Sequence, residues 1–248
     1  MAQFTPMMKQ YFEIKNQHKD KILFFRLGDF YEMFFEDAIT ASKELEITLT
    51  GRDCGQEERA PMCGIPYHAA ESYIARLIEK NYKVAICEQV EDPALAKGIV
   101  RREVIKIITP GTVIESSMLD ERVNNYLLSL YADGRQAALS YTDLSTGEFY
   151  CTYADISDAA VVRNEINRIN PAEIISNTDF QDIKAAYSAY NILDKRYFDH
   201  EACERRLKRQ FGVSSLEGLG IDNETLLRST GALLLYLDDI QKVSLDNI

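Results

Sequence analysis

The chain has 248 residues, 46% hydrophobic and 27% charged, a composition suited to a soluble globular protein of one or two cored domains. A net charge of −11 argues against gripping nucleic acid by bulk electrostatics. No apolar run approaches the roughly 20 residues of a membrane helix, and Met1–Pro6 lacks the charged and apolar regions of a signal peptide, so a cytoplasmic location is expected.

Residues 5–18 have helical spacing, with Met8, Tyr11, Phe12 and Ile14 near one face and Thr5-Pro6 at the start. Lys21 to Phe35 reads as extended, interrupted near Gly28. Glu36–Leu45 is helical, with acidic residues in its first turn that suit the helix dipole. Ile47–Thr50 reads as a short β-branched strand and Gly51–Arg59 as a polar loop. Gly64-Ile65-Pro66 breaks the chain before a helix from about Ala69 to Lys80, whose Tyr73, Ile74, Leu77 and Ile78 face inward. Val84–Cys87 and Val104–Ile108 are the next strands, and Pro110-Gly111 ends the second. The alternation predicts an α/β unit with a mixed sheet. Residues 113–124 are polar, so we place a mixed-sheet domain at 1–112, a linker at 113–122 and a second domain at 123–248.

In that second domain Tyr126–Tyr131, Gln136–Asp143 and Gly147–Tyr153 form an antiparallel meander, with turns at Asp133-Gly134 and Ser145-Thr146-Gly147. A helix (Ala159–Ile169), a strand (Glu173–Ile175), a helix (Phe180–Tyr187), a strand (Tyr190–Leu193) and a helix (His200–Phe211) follow. Three antiparallel strands and then αβαβα is the order of a ribonuclease-H-like fold. Glu224–Ile240 is apolar nearly all round, which implies burial on several sides. Val243–Ile248 ends without a capping sequence and reads as a chain cut from a longer one.

Charge is uneven: 1–112 carries 15 Lys and Arg against 17 Asp and Glu, while 113–248 carries 13 against 22. The first part can therefore approach DNA with local cations, among them Arg52, Arg59, Arg76, Lys97, Arg101, Arg102 and Lys106. The five cysteines are irregularly spaced without a Cys-x-x-Cys, and the three histidines are scattered. Buried, reduced thiols and no metal site are expected.

The most informative residues are Gly28-Asp29-Phe30-Tyr31-Glu32-Met33-Phe34-Phe35, which place a carboxylate among aromatics just after a glycine. Phe30 and Glu32, two apart on a strand, point the same way. An aromatic there either packs in a core or is free to insert between stacked bases. Pro61-Met62-Cys63-Gly64-Ile65-Pro66-Tyr67-His68-Ala69 is the second unusual string.

With these two strings, Ile86-Cys87-Glu88-Gln89 and Thr109-Pro110-Gly111-Thr112 all in order, the chain resembles the amino-terminal part of the MutS family of DNA mismatch-recognition proteins. The resemblance runs from Thr5-Pro6-Met7-Met8 to the last apolar helix. It implies a mismatch-binding domain followed by a ribonuclease-H-like connector domain. The family's Phe-x-Glu falls on Phe30-Tyr31-Glu32. It implies that Phe30 enters the minor groove and stacks on a mispaired or unpaired base, while Glu32 hydrogen-bonds a base, ionised as an acceptor or protonated as a donor. We favour the protonated form in the bound state. Other DNA contacts are expected from Arg52, a family basic position, and from Met62 and His68. Arg52 can equally be a solvated loop arginine, Met62 a core residue and His68 a satisfied helix-start residue. MutS proteins continue into a clamp and an ATPase. This chain has no Gly-x-x-x-x-Gly-Lys-Ser/Thr, so no ATP hydrolysis is expected of it, and ATP and Mg²⁺ belong to the longer parent protein. Mismatched double-stranded DNA, MutL and a homodimer of the full-length protein are the implied partners.

Two other readings fit the same residues. A metal-dependent nuclease would use Asp143, Glu148 and Asp194 in the second domain. A pure protein-interaction module would use its acidic surface, or the basic group Arg205, Arg206, Lys208 and Arg209 on the helix His200–Phe211.

Overall fold

The computed structural model describes residues 3–92, 98–120, 122–155 and 159–241; Lys97, Glu121 and Val243–Ile248 lie outside them. The chain divides into two units, Met1–Thr109 and Pro110–Ile248.

The first unit opens with α1 (Pro6–Gln17), whose start is set by Pro6 and by the Thr5 hydroxyl accepting from the Met8 amide at 3.3 Å. It continues with β1 (Ile22–Leu27), β2 (Phe30–Phe34), α2 (Phe35–Leu45), β3 (Thr50–Arg52), β4 (Ala60–Pro66), α3 (Ala70–Glu79), β5 (Val84–Gln89) and β6 (Arg102–Ile108). The sheet order is β3-β4-β2-β1-β5-β6. Only β1 and β5 pair in parallel. β1 is apolar throughout its first four residues because it is central and covered on both faces; Leu23, Phe24 and Phe25 are fully buried.

Two strand assignments differ from the sequence reading. The short strand is Thr50–Arg52 rather than Ile47–Thr50. Glu46 takes a left-handed conformation (φ 56°) and the Ile47 amide still closes onto Ser42 O at 3.0 Å, so this segment finishes the helix cap. The string read as a break before α3 is largely a seven-residue strand, β4, between β3 and β2. Pro61 and Pro66 lie near its two ends, where a missing N–H is tolerated.

β2 passes directly into α2 without a loop. Phe35 takes the bend with φ 52°, an uncommon conformation for a bulky residue. Asp37 fastens the same region: it is buried, takes the Lys15 ammonium at 2.8 Å on Oδ1 and accepts from the Leu23 amide at 2.9 Å on Oδ2.

The second unit contains β7 (Tyr126–Ala132), β8 (Gln136–Asp143), β9 (Glu148–Asp155), α4 (Ala159–Ile169), β10 (Glu173–Ser176), α5 (Gln181–Ala186), β11 (Tyr190–Ile192), α6 (His200–Phe211) and α7 (Glu224–Ile240). Its sheet runs β11-β10-β7-β8-β9. β8 is antiparallel to both neighbours, and β10 is parallel to β7 and β11. This is the mixed sheet that the ribonuclease-H-like element order predicts. Pro110–Val113 is buried within this unit, and the Gly111 amide donates to the buried carboxylate of Glu173 at 3.2 Å.

α7 is buried on nearly every side, as its composition predicts. It crosses α6 so closely that a Cβ on Gly231 would lie 2.3 Å from Cys203 Cβ. Its hydroxyls bond to the sheet, Ser229 Oγ donating to Ser129 O at 2.8 Å and Thr230 Oγ1 lying 2.9 Å from Ser140 Oγ.

The thiol expectation needs one correction, since four cysteines are buried but Cys151 is exposed on the edge strand β9.

Candidate nucleic-acid interface

The hairpin β1–β2 turns on two residues, Gly28 and Asp29, with Leu27 opposite Phe30. Gly28 has φ +59° and Asp29 has no positive φ, the pattern of a type II′ turn, which needs glycine first and matches the strand twist. Phe30 is therefore the first residue after a tight turn. The residue is 47% exposed, so it does not belong to a core. Tyr31 and Met33, on the alternate face, are buried.

Pairing register carries the rest of the site to the Phe30 face. Phe30 lies opposite Pro66, Glu32 opposite Gly64 and Phe34 opposite Met62 on β4. Met62 in turn lies opposite Thr50 and Ala60 opposite Arg52 on β3. Since side chains alternate by residue, Phe30, Glu32, Met62 and Arg52 share one sheet face. Gly64 adds no side chain there; a Cβ on it would stand 3.5 Å from Glu32 Cγ and 3.9 Å from the Phe30 ring.

Glu32 and Arg52 form an ion pair through Oε2 and Nη1. The carboxylate is the more covered partner, at 14% side-chain exposure against 37% for the guanidinium. His68 falls elsewhere, exposed on the single 3-10 turn Tyr67–Ala69 with its ring edge-on to Tyr67. Met62 is half-buried.

A brace that sequence reasoning missed holds the turn from its other side. Arg26 donates from Nε to Gly28 O at 2.6 Å, lies over the Tyr67 ring at 3.6 Å from its centroid, and reaches Glu88 Oε1 from Nη1 at 3.2 Å. Glu88 also accepts from the Tyr31 hydroxyl. Burial, then that bond to Glu88, pushes the Tyr31 phenol well above its usual range, so it remains a donor. The Tyr67 amide closes the ring of contacts onto Asp29 O at 3.0 Å. A lone arginine in an apolar strand, two residues before a glycine turn, was the available signal.

Of the cations read as DNA-facing, Arg102 is not available. It is buried, donating to Arg26 O at 2.6 Å, Val100 O at 2.7 Å and Gln10 Oε1 at 3.0 Å.

The second unit does not assemble the nuclease set. Asp143 is buried and accepts from the Asn125 amide at 2.9 Å and from the Ser145 amide and hydroxyl at 2.9 and 2.7 Å. Burial opposes its ionisation, but the Ser145 hydroxyl and the surrounding amides outweigh that and hold its pKa below the usual range. Glu148 takes the Asn124 amide and the Tyr126 hydroxyl. Asp194 caps the turn Lys195–Phe198 beyond β11, three strands from β8, a separation of roughly 14 Å at strand spacing. Two-metal sites need ligands around ions about 4 Å apart. Among the described residues no group of three or more His, Cys, Asp or Glu could hold a metal ion.

The basic group on α6 is likewise neutralised. Arg206 is buried in a bidentate pair with Asp238 at 2.6 and 2.9 Å, and Arg209 joins the same carboxylate at 3.1 Å. Lys208 pairs with Glu204 and Arg205 with Glu201. It is an ion-paired helix rather than a free cationic face. Among the described residues no helix is long and apolar enough to cross a membrane.

A mixed-sheet unit presenting an aromatic and a carboxylate at a tight turn, followed by a unit with the ribonuclease-H-like strand order, makes this a two-unit α/β chain. Residues 5–117 match the family described as MutS domain I, and residues 125–248 match MutS domain II. The chain therefore belongs to the MutS family and carries its domains I and II. It is 53% identical to the DNA mismatch repair protein MutS of Lachnoclostridium phytofermentans over 257 residues, covering 100% of this chain and 27% of that protein. It is 51% identical to the protein of the same name from Acetivibrio thermocellus, covering 100% of this chain and 29% of that protein. For Clostridium perfringens the identity is 54%, over 98% of this chain and 27% of the relative. The chain thus spans less than a third of the length of these relatives.

Proposed function

We propose that this chain recognises mispaired or unpaired bases in double-stranded DNA as the reading part of a mismatch-repair protein. The observation that carries this is Phe30, a half-exposed aromatic at the head of β2, on the same face as Glu32. A faulty pair is already poorly stacked, so kinking the duplex there costs less than the several kcal/mol that bending a sound duplex requires. The ring fills the opened step from the minor groove, and base–aromatic stacking supplies about 1–3 kcal/mol. Glu32 then hydrogen-bonds the displaced base. Met62, on the same face, borders the sugars, and His68 and Arg52 contact the backbone.

In this reading the first unit, Met1–Thr109, recognises the lesion, and the second, Pro110–Ile248, relays to an ATPase and to MutL in a homodimeric parent protein. ATP and Mg²⁺ act outside these residues. The test is Phe30→Ala in the intact protein, titrated against a duplex with one unpaired base and the fully paired duplex. We expect a folded protein whose preference for the unpaired base is lost. Retained preference would remove Phe30 from the reading.

A further inference from the structure

Arg52 sits at the end of the shortest and outermost strand of its sheet and spans β4 to reach the Glu32 carboxylate. Gly64, opposite Glu32, leaves that path free of a side chain. Among the described residues the guanidinium has this one carboxylate partner, and its side chain is 37% exposed.

We propose that Arg52 is a transferable counter-ion, which neutralises Glu32 in the free protein and passes to a backbone phosphate when a duplex is seated on this face. The proposal rests on the reading of Phe30 and Glu32 given above. A bare carboxylate here would repel the duplex, and the closed pair removes that repulsion during approach. A partly exposed ion pair holds weakly, and a phosphate offers guanidinium a bidentate partner at least as good as a carboxylate. Once Arg52 has moved, Glu32 is uncovered beside Phe30. An opened base step supplies a polar base edge for it, whereas a closed, correctly paired step supplies none. Arg52 is in this sense a specificity-determining residue, acting through Glu32.

The intact protein and its Arg52→Gln, Arg52→Lys and Glu32→Gln variants are titrated with a duplex containing one unpaired base across a series of salt concentrations. Transfer predicts that Arg52→Gln reduces the slope of log affinity against log salt by about 0.9, the value for one lost phosphate contact. Arg52→Lys keeps the wild-type slope, and so does Glu32→Gln, because Arg52 reaches the phosphate in both wild type and that variant. An unchanged slope in Arg52→Gln overturns the proposal, since it leaves Arg52 on Glu32. A double-mutant cycle on melting temperature gives an independent reading: coupling between residues 32 and 52 should be present in the free protein and vanish with DNA bound. Coupling that persists in the complex also overturns it. Phe30→Ala runs alongside. If that variant keeps its preference for the unpaired base, the base-reading assignment fails while the slope still reports where Arg52 goes.

Discussion

The guanidinium of Arg26 stacks on the ring of Tyr67, 3.6 Å from its centroid, while its Nε holds the carbonyl of Gly28. One side chain thus ties the β1–β2 turn to the segment that follows β4, on either side of Phe30. The brace sets where the exposed ring points before any ligand arrives.

Arg26→Lys should break this arrangement, because an ammonium has neither the planar face nor the fork needed to stack and donate at once. We expect a stability loss of about 1 kcal/mol, in line with a partly covered cation–π contact. The Tyr67 amide, bonded to Asp29 O, should also exchange faster with deuterium. Unchanged exchange at Tyr67 would show that the turn does not depend on Arg26.

Phe30→Ala should leave stability within about 0.5 kcal/mol of wild type, because a half-exposed ring contributes little to a core. Its cost appears on DNA, where the loss of about 1–3 kcal/mol of stacking weakens lesion binding roughly 5- to 150-fold. Chemical denaturation and a binding titration measured on the same preparation separate these two effects.

Gly231→Ala should be destabilising although alanine is the better helix former by about 1 kcal/mol. The new methyl would lie 2.3 Å from Cys203 Cβ and 2.6 Å from Cys203 Cα. Helix α6 must shift to admit it, and overpacking of this kind costs typically about 1–3 kcal/mol. Cys203→Ala should not rescue the variant, because it retains both clashing carbons. Urea unfolding of the single and double variants checks this.

Asp143→Asn should lower stability at neutral pH and matter less in acid. The folded-state pKa of Asp143 is depressed, so its ionised form stabilises the fold above the unfolded-state pKa of about 3.9. That contribution is lost as the pH falls through the lower, folded-state value. The difference between wild type and variant should therefore narrow below about pH 4 in a series of denaturation curves.

Element order was legible because periodicity reports burial directly. Glu224–Ile240 and Ala159–Ile169 have the bounds their apolar spacing predicts, and the meander follows from its turn residues. β4 was not legible, because Pro61, Gly64 and Pro66 are all residues that usually end strands, and only its position between β2 and β3 explains them. Without β4 there is no register linking Arg52 to Glu32, so their pairing could not be read from the chain. The neutrality of α6 was half visible: Glu201–Arg205 and Glu204–Lys208 have helical i,i+4 spacing, whereas Arg206–Asp238 joins two helices and needs the fold. Arg26 illustrates the same limit, since its partners at Tyr67 and Glu88 are distant in sequence.

The two-residue turn at Gly28-Asp29 has a consequence for how this protein tolerates change in length. Strand faces alternate with a period of two, so one residue added to or removed from that turn would slide β2 past β1 and exchange its faces. Tyr31 and Met33 would then be offered to the ligand, and Phe30 with Glu32 would be driven into the interior. A single insertion next to Gly28 would thus take Phe30 and Glu32 off the exposed face while leaving both residues in the chain.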